Sequence, residues 1–234
     1  MGKARPKRFY EKVETAKIGD GFGIHLDGRV LKAPGKRKLT LILPSAHVAE
    51  LVAAEWDAQE VDINPEVMPV TRLANVALEL TPGKRPELVS QARSYAETDL
   101  LCYRSDQYAV LTRRQAALWD PVLAWAADLG VKLVPTESII AKTQSAESLD
   151  RLEAFAIELD DLNLTLFLHL TSVFGSAVLA LAVMKKHLSG AEAFDLSRLD
   201  ALWQIEHWGQ DEEAQDNSDA VAAEVSALCR ILEN

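Results

Sequence analysis

A chain of 234 residues, 48 % of them apolar, is long enough for one large domain or two modest ones and has ample material for a core. Its net charge of −10 is unevenly spread: residues 1–44 carry +7 and residues 45–234 carry −17. The acidic body argues against nucleic-acid binding, because neutralising phosphates needs a basic face. The two cysteines, Cys102 and Cys229, lie far apart without CxxC spacing, which argues against a zinc knuckle or a disulfide framework and fits a reducing compartment.

The basic N-terminus MGKARPKRFY is followed by no apolar run and does not read as a secretory signal. Its lysines and arginines, with those of the following strands, read as solvated charge, the alternative being a surface for an acidic partner. Phe22, Ile24 and Leu26 alternate with Gly23 and His25, Asp27-Gly28 supplies a tight-turn signal, and Val30-Leu31 resumes the apolar run. A second turn at Gly35–Lys38 and a strand over Leu39–Leu43 complete a small antiparallel sheet. The Gly19–Gly23 run superficially resembles a phosphate loop, but it lacks the GKS/T ending and leads into a strand. Ser45 then predicts a helix N-cap, with Val48, Leu51, Val52, Glu55 and Trp56 following at helical spacing. Asn64–Pro69 reads as extended, Val70–Leu80 as a helix, and Pro82-Gly83-Lys84-Arg85-Pro86 as a linker or sharp turn.

Beyond Pro86 the pattern is helical: Leu88–Ala96, Ala109–Leu129, Ser148–Leu159 and everything from Leu199 on, with Thr98–Arg104 and Val131–Val134 ambiguous. The coarse class is therefore α+β, a small antiparallel β-rich N-terminal domain (1–85, with one or two helices) followed by a larger all-α C-terminal domain (86–234). Asn163–Met184 contains no Asp, Glu, Lys or Arg and is long enough to span a bilayer. Its Asn163, Thr165, His169, Thr171, Ser172 and Ser176 would each be costly in hydrocarbon, so a buried central helix is the preferred reading over membrane insertion.

Few constellations carry chemistry. Glu206 and His207 are adjacent, so on a helix they point about 100° apart, unlike the Glu-x-x-His pair of a bundle metal site. His207 and Asp211 have acceptable i, i+4 spacing, but His25, His47, His169 and His187 form no HxxxH or HExxH. Neither a metal nor another cofactor is expected. No GxSxG or cysteine signature marks a nucleophile. The stretch WQIEHWGQDEEAQD, Trp203–Asp216, reads instead as a surface. On a continuous helix Ile205, Trp208, Glu212 and Asp216 share one face, and a tryptophan rimmed by acids such as Glu213 suits protein binding. The plainer alternative makes Trp208 core and the acids a solvated face, and Gly209 weakens the helix there. Trp56, Trp119 and Trp125 sit in helical patterns and are expected to pack in the core. Val221, Val225, Leu228 and Leu232 predict that the last helix docks on the body.

Glu97-Thr98-Asp99-Leu100-Leu101-Cys102-Tyr103-Arg104 closely resembles the signature run of the ATP12 chaperone family. Phe9-Tyr10, Leu26–Arg29, Glu55–Gln59, Pro69–Asn75, Trp119–Pro121 and Gln204–Gly209 fit the same family, in order and over most of the chain. The resemblance implies assembly work rather than catalysis. Members are chaperones that bind the unassembled α subunit of the F1 sector of ATP synthase and are displaced when β pairs with it, in the mitochondrial matrix or in alphaproteobacteria. This chain looks like a bacterial cytoplasmic member, expected to be a monomer without stable membrane insertion. The family's C-terminal pattern W-G-x-x-E-x-A-x-D falls here on Trp208, Gly209, Glu212, Ala214 and Asp216, and its glutamate matters for function. Several relatives carry histidine where this chain has Gln215. Glu212, Asp216, Trp208 and Glu213 are thus the expected partner-binding residues, and Trp56, Asp99, Tyr103, Arg104 and Trp119 the structural ones. An enzyme with a cleft acid–base pair and a membrane-associated factor are the alternatives.

Overall fold

In the computed structural model, which describes residues 5–137, 142–209 and 212–233, the side chains of 212–214 excepted, the Asp27-Gly28 signal becomes a two-residue hairpin. Both residues take positive φ, 48° and 76°, as a primed turn requires. The hairpin joins strands β2 (Gly21–Leu26) and β3 (Arg29–Val30). β1 (Val13–Ile18) pairs antiparallel along the other edge of β2, in register from Val13↔Leu26 to Ile18↔Gly21. β4 also pairs with β2 and is shorter than the sequence suggests, Ile42–Leu43 rather than Leu39–Leu43. Alternation holds across it: Leu41 and Leu43 are buried and Ile42 is exposed.

The chain divides into two compact units, Met1–Lys84 with Arg230–Asn234, and Arg85–Cys229. In the first, helix α1 (Ala46–Asp57) packs on β1 and β2 through Val48, Ala49, Leu51 and Val52. Ser45 caps it as the sequence predicts, accepting from Val48 N–H at 3.2 Å. Helix α2 (Pro69–Glu79) has no side-chain cap of its own. Glu55, near the end of α1, supplies one: its carboxylate accepts from Val70 N–H (2.8 Å), Thr71 N–H (2.7 Å) and the Thr71 hydroxyl (2.6 Å). Burial raises the Glu55 pKa against these bonds. Four residues on, the buried Gln59 accepts from Asn64 N–H at 2.7 Å and donates to Glu55 O at 2.9 Å, fixing the turn that returns the chain to α2. Trp56 is half-buried; its carbonyl accepts from the Tyr10 hydroxyl at 2.7 Å.

Pro82–Pro86, where the two units divide, is not a sharp turn: it lies inside helix α3 (Thr81–Glu97). Proline is tolerated in a first helical turn, where the N–H has no partner to lose. At Pro86 tertiary contacts override the local cost, with Arg85 bonded to Asp161 Oδ1 at 2.7 Å and to the carbonyls of Ile157 and Leu159.

The second unit continues with α4 (Ala109–Asp128), α5 (Ala146–Glu158), α6 (Asp161–Phe174), α7 (Ala177–Met184), α8 (Gly190–Ser197), α9 (Leu199–Trp208) and α10 (Glu212–Cys229). The uncharged run is two helices rather than one. α6 ends at Gly175, whose φ of +64° is the left-handed C-cap that glycine adopts without a Cβ penalty, and Ser176 caps α7 by accepting from Leu179 N–H at 3.0 Å. Residues 177–183 are buried without exception, so α7 lies in the core of this unit. Three of the run's polar residues are satisfied locally: Thr165 and Thr171 donate to Asp161 O (2.6 Å) and Phe167 O (2.8 Å), and Asn163 donates to Asp160 Oδ2 at 2.9 Å. No described helix is long and apolar enough to cross a membrane. Val225 and Leu228 of α10 are buried, and α10 packs on α8.

Candidate partner-binding surface

The signature run 97–104 is a strap with two anchors. Asp99, fully buried, is the N-cap of a single 3-10 turn (Leu100–Cys102), with Oδ1 accepting from Leu101 N–H at 3.0 Å. The same carboxylate reaches α7, accepting from the Ser176 hydroxyl at 2.7 Å and from Val178 N–H at 3.0 Å. Burial nevertheless pushes its pKa up to about 6, the donors acting against that rise. Tyr103 forms a lone parallel bridge with Thr136, which resolves the ambiguity of this stretch: it holds one 3-10 turn and one bridge, not an α-helix or a regular strand.

The second anchor is Arg104. Its side chain is 5 % exposed and pairs with Asp120 Oδ1 at 2.6 Å. The guanidinium lies 4.9 Å from the ring centroid of Trp119, which is fully buried and donates from Nε1 to Leu196 O at 3.0 Å. Burial lowers the Arg104 pKa and the Asp120 carboxylate opposes that shift.

Beyond Arg104 opens a pocket of about 260 Å³, lined among others by Tyr108, Gln115, Asp200, Trp203 and Trp208. Gln115, buried, links its two sides: Oε1 accepts from Ser105 N–H at 2.8 Å and Nε2 donates to Asp200 Oδ1 at 2.7 Å. Trp203 is the pillar of the wall. It stacks on His207 at 4.1 Å, lies 4.6 Å from Tyr108 and meets Trp208 edge-on at 5.4 Å. Trp203 is buried, whereas Trp208, the last residue of α9, is 65 % exposed, so packed core does not describe it. His207 turns inward to its own helix, Nδ1 standing 2.8 Å from Trp203 O. Glu206 forms a two-pronged ion pair with Arg114, at 2.7 and 2.9 Å.

The face expected to run through Ile205, Trp208, Glu212 and Asp216 is interrupted. α9 stops at Gly209 (φ 92°, ψ 169°), and α10 starts anew at Glu212. Glu212 and Glu213 form the first turn of α10, but their side chains, like residues 210 and 211 altogether, lie outside the described residues. Asp216, one turn on, is exposed. The structure thus brings Trp208 together with Arg104 and sets Trp119 behind Arg104, while Asp99 and Tyr103 hold the strap. Trp56 belongs to the first unit. The sequence reading passed over Tyr108, Gln115 and Asp200, and treated Trp203 only as a neighbour of Trp208. The available signal was the density of aromatics at both ends of the pocket wall.

Residues 7–127 match the family described as ATP12 chaperone protein. The mitochondrial atp12 protein of Schizosaccharomyces pombe is 28 % identical over 227 residues, covering 91 % of this chain and 78 % of that one. The crystal structure of Atp12 from Paracoccus denitrificans superposes with a TM-score of 0.90 at 36 % identity, over 97 % of each chain. The Atu1473 protein of Agrobacterium tumefaciens gives 0.92 at 36 % identity, over 97 % of this chain and 85 % of that one. The chain belongs to the ATP12 chaperone family.

Proposed function

We propose that this chain is an ATP-independent assembly chaperone. It binds the unassembled α subunit of F1-ATP synthase, covers the surface that pairs with β, and leaves when β arrives. Family membership supports the class, and the exposed Trp208 at the end of α9, directly before the acidic start of α10, is the observation that carries the surface. An unpaired subunit exposes an apolar interface and is prone to aggregate. A protein that covers such a patch without spending ATP acts by mass action, holding the patch until a better partner competes. That calls for moderate affinity, from an apolar anchor within a charged rim.

In this reading Trp208 is the anchor, Glu212, Glu213 and Asp216 meet basic groups on α, and no substrate is turned over. The chain acts as a monomer in the bacterial cytoplasm, with neither nucleic acid nor stable membrane insertion involved. The fission yeast relative is named as mitochondrial, and the matrix is the corresponding place there. The test is co-purification with the host's isolated α subunit followed by a challenge with β. Retention of α that β releases is the expected result, and a folded Glu212→Lys variant loses most of it. No retention of α by the folded parent overturns the proposal.

A further inference from the structure

Two residues that line the pocket beside Trp208 each carry a buried nitrogen that finds no acceptor among the described residues: Arg104 Nη1 and Trp203 Nε1. A buried donor without an acceptor is costly, and native structures hold few of them. Neither group is free to turn toward water. The Arg104 guanidinium is pinned by Asp120 on one side and by the face of Trp119 on another. The Trp203 ring is held between Tyr108 and His207. The pocket is therefore built with two fixed N–H donors and a wall of rings.

We propose that this pocket seats an extended, apolar peptide segment of the partner, whose main-chain carbonyls accept from Arg104 Nη1–H and Trp203 Nε1–H. The proposal rests on the chaperone reading and names the chemistry of what is held. Charge selects a carbonyl over a carboxylate. Asp120 already neutralises Arg104, and Asp200 stands in the same lining with Oδ1 on Gln115, so a further anion meets two carboxylates against one guanidinium. The rings select an apolar side chain: Tyr108 is 40 % exposed and Trp208 65 %, and Leu111 adds an aliphatic wall. Both donors are shut off from bulk water in this structure, so the carbonyls reach them only as the side chains of the lining shift.

Two measurements on the full chain decide it. The first is the affinity of the host's isolated α subunit for the parent, for Trp203→Phe, which keeps a ring and loses the N–H, and for Arg104→Lys, which keeps the charge for Asp120. Each variant weakens binding about tenfold, the loss of one buried hydrogen bond to a fixed or charged donor. Far-UV circular dichroism and urea midpoints establish that the variants are folded; should Arg104→Lys unfold, Trp203→Phe carries the test. Parent-like affinity in the folded variants overturns the pocket and leaves the chaperone reading standing. The second measurement follows the Trp203 indole N–H resonance during titration with the blocked peptide acetyl-Gly-Val-Leu-Gly-amide, and separately with acetyl-Gly-Glu-Glu-Gly-amide. A shift with the apolar peptide alone supports the proposal; no shift with it, or an equal or larger shift with the acidic one, overturns it. If the parent fails to bind α, the chaperone reading falls and the peptide titration decides the pocket by itself.

Discussion

Asp99 sets two physical effects against each other, and pH tells which wins. Its carboxylate is fully buried, and no Lys or Arg is bonded to it among the described residues; burial alone raises its pKa. Hydrogen-bond donors oppose this: Ser176 Oγ, Leu101 N and Val178 N at 2.7–3.0 Å, and the Ala177 N–H besides. The balance lies with burial, which lifts the pKa from 3.8 to about 6. An acid whose folded pKa is raised holds its proton more tightly when folded, so between those values the folded chain carries the extra proton. Stability from this residue is then greatest below pH 3.8 and is lost as pH rises through about 6. The loss is about 3 kcal/mol, from the size of the shift at about 1.4 kcal/mol per unit. Asp99→Asn is neutral throughout and serves as the reference. Urea unfolding of both chains from pH 4 to pH 7 should show the parent's advantage over Asp99→Asn shrinking by most of that amount, about 2.4 kcal/mol, and the Asp99 13Cγ resonance should titrate near 6. An advantage that grows with pH means the donors hold the pKa below 3.8, and the reasoning is refuted.

Other consequences are simpler to measure. Glu55→Ala strips the cap from α2 and leaves the N–H groups of Val70 and Thr71 without their acceptor, so the first unit should lose about 2 kcal/mol in urea unfolding, with Glu55→Gln losing less. Ser189 and Glu192 form a capping box at the start of α8; Ser189→Ala should cost about 1 kcal/mol, seen as a lower unfolding midpoint without change in the affinity for α. Glu212→Lys should leave the unfolding midpoint within about 0.5 kcal/mol of the parent, as surface changes do, while abolishing most of the retention of α in co-purification.

Local chemistry was legible where the decision is local. Asp27-Gly28 names its turn and Ser45 names its cap, because neighbouring backbone groups decide both. The helical periodicity placed α1, α2, α4 and α5 to within a few residues. Where distant partners decide, the sequence misleads. Pro82–Pro86 carries every mark of a break, yet Arg85 gains three partners around the α5–α6 junction by staying helical. Asn163–Met184 reads as one span because hydropathy does not register a left-handed residue, and Gly175 divides it. The pocket was the least legible feature. Trp203 and Trp208 are five apart, hence about 140° apart around a helix, and only the packing of Tyr108, from outside the helix, on Trp203 marks one as a buried pillar and the other as exposed. Arg104 was legible as part of a motif, but its position over Trp119 depends on a residue fifteen places away.

In the proposed function this difference matters at Gly209, and substitution there tests it. Its φ of 92° and ψ of 169° fall in a region that belongs to glycine almost exclusively. An added Cβ meets nothing within 4 Å, so Gly209→Ala introduces backbone strain and no clash. That strain is on the order of 1–3 kcal/mol if the junction keeps its shape. If the junction gives way instead, α9 continues past Trp208 and the first turn of α10 is redirected, carrying Glu212 and Glu213 with it. In the proposed function these acids work only in register with Trp208. Gly209→Ala should therefore either lower the unfolding midpoint with affinity for α preserved, or preserve the midpoint and weaken α binding, according to which of the two absorbs the strain. A variant with both quantities at the parent's values would mean that the break between α9 and α10 is not enforced by Gly209, and that the separation of the tryptophan from the acids has another cause.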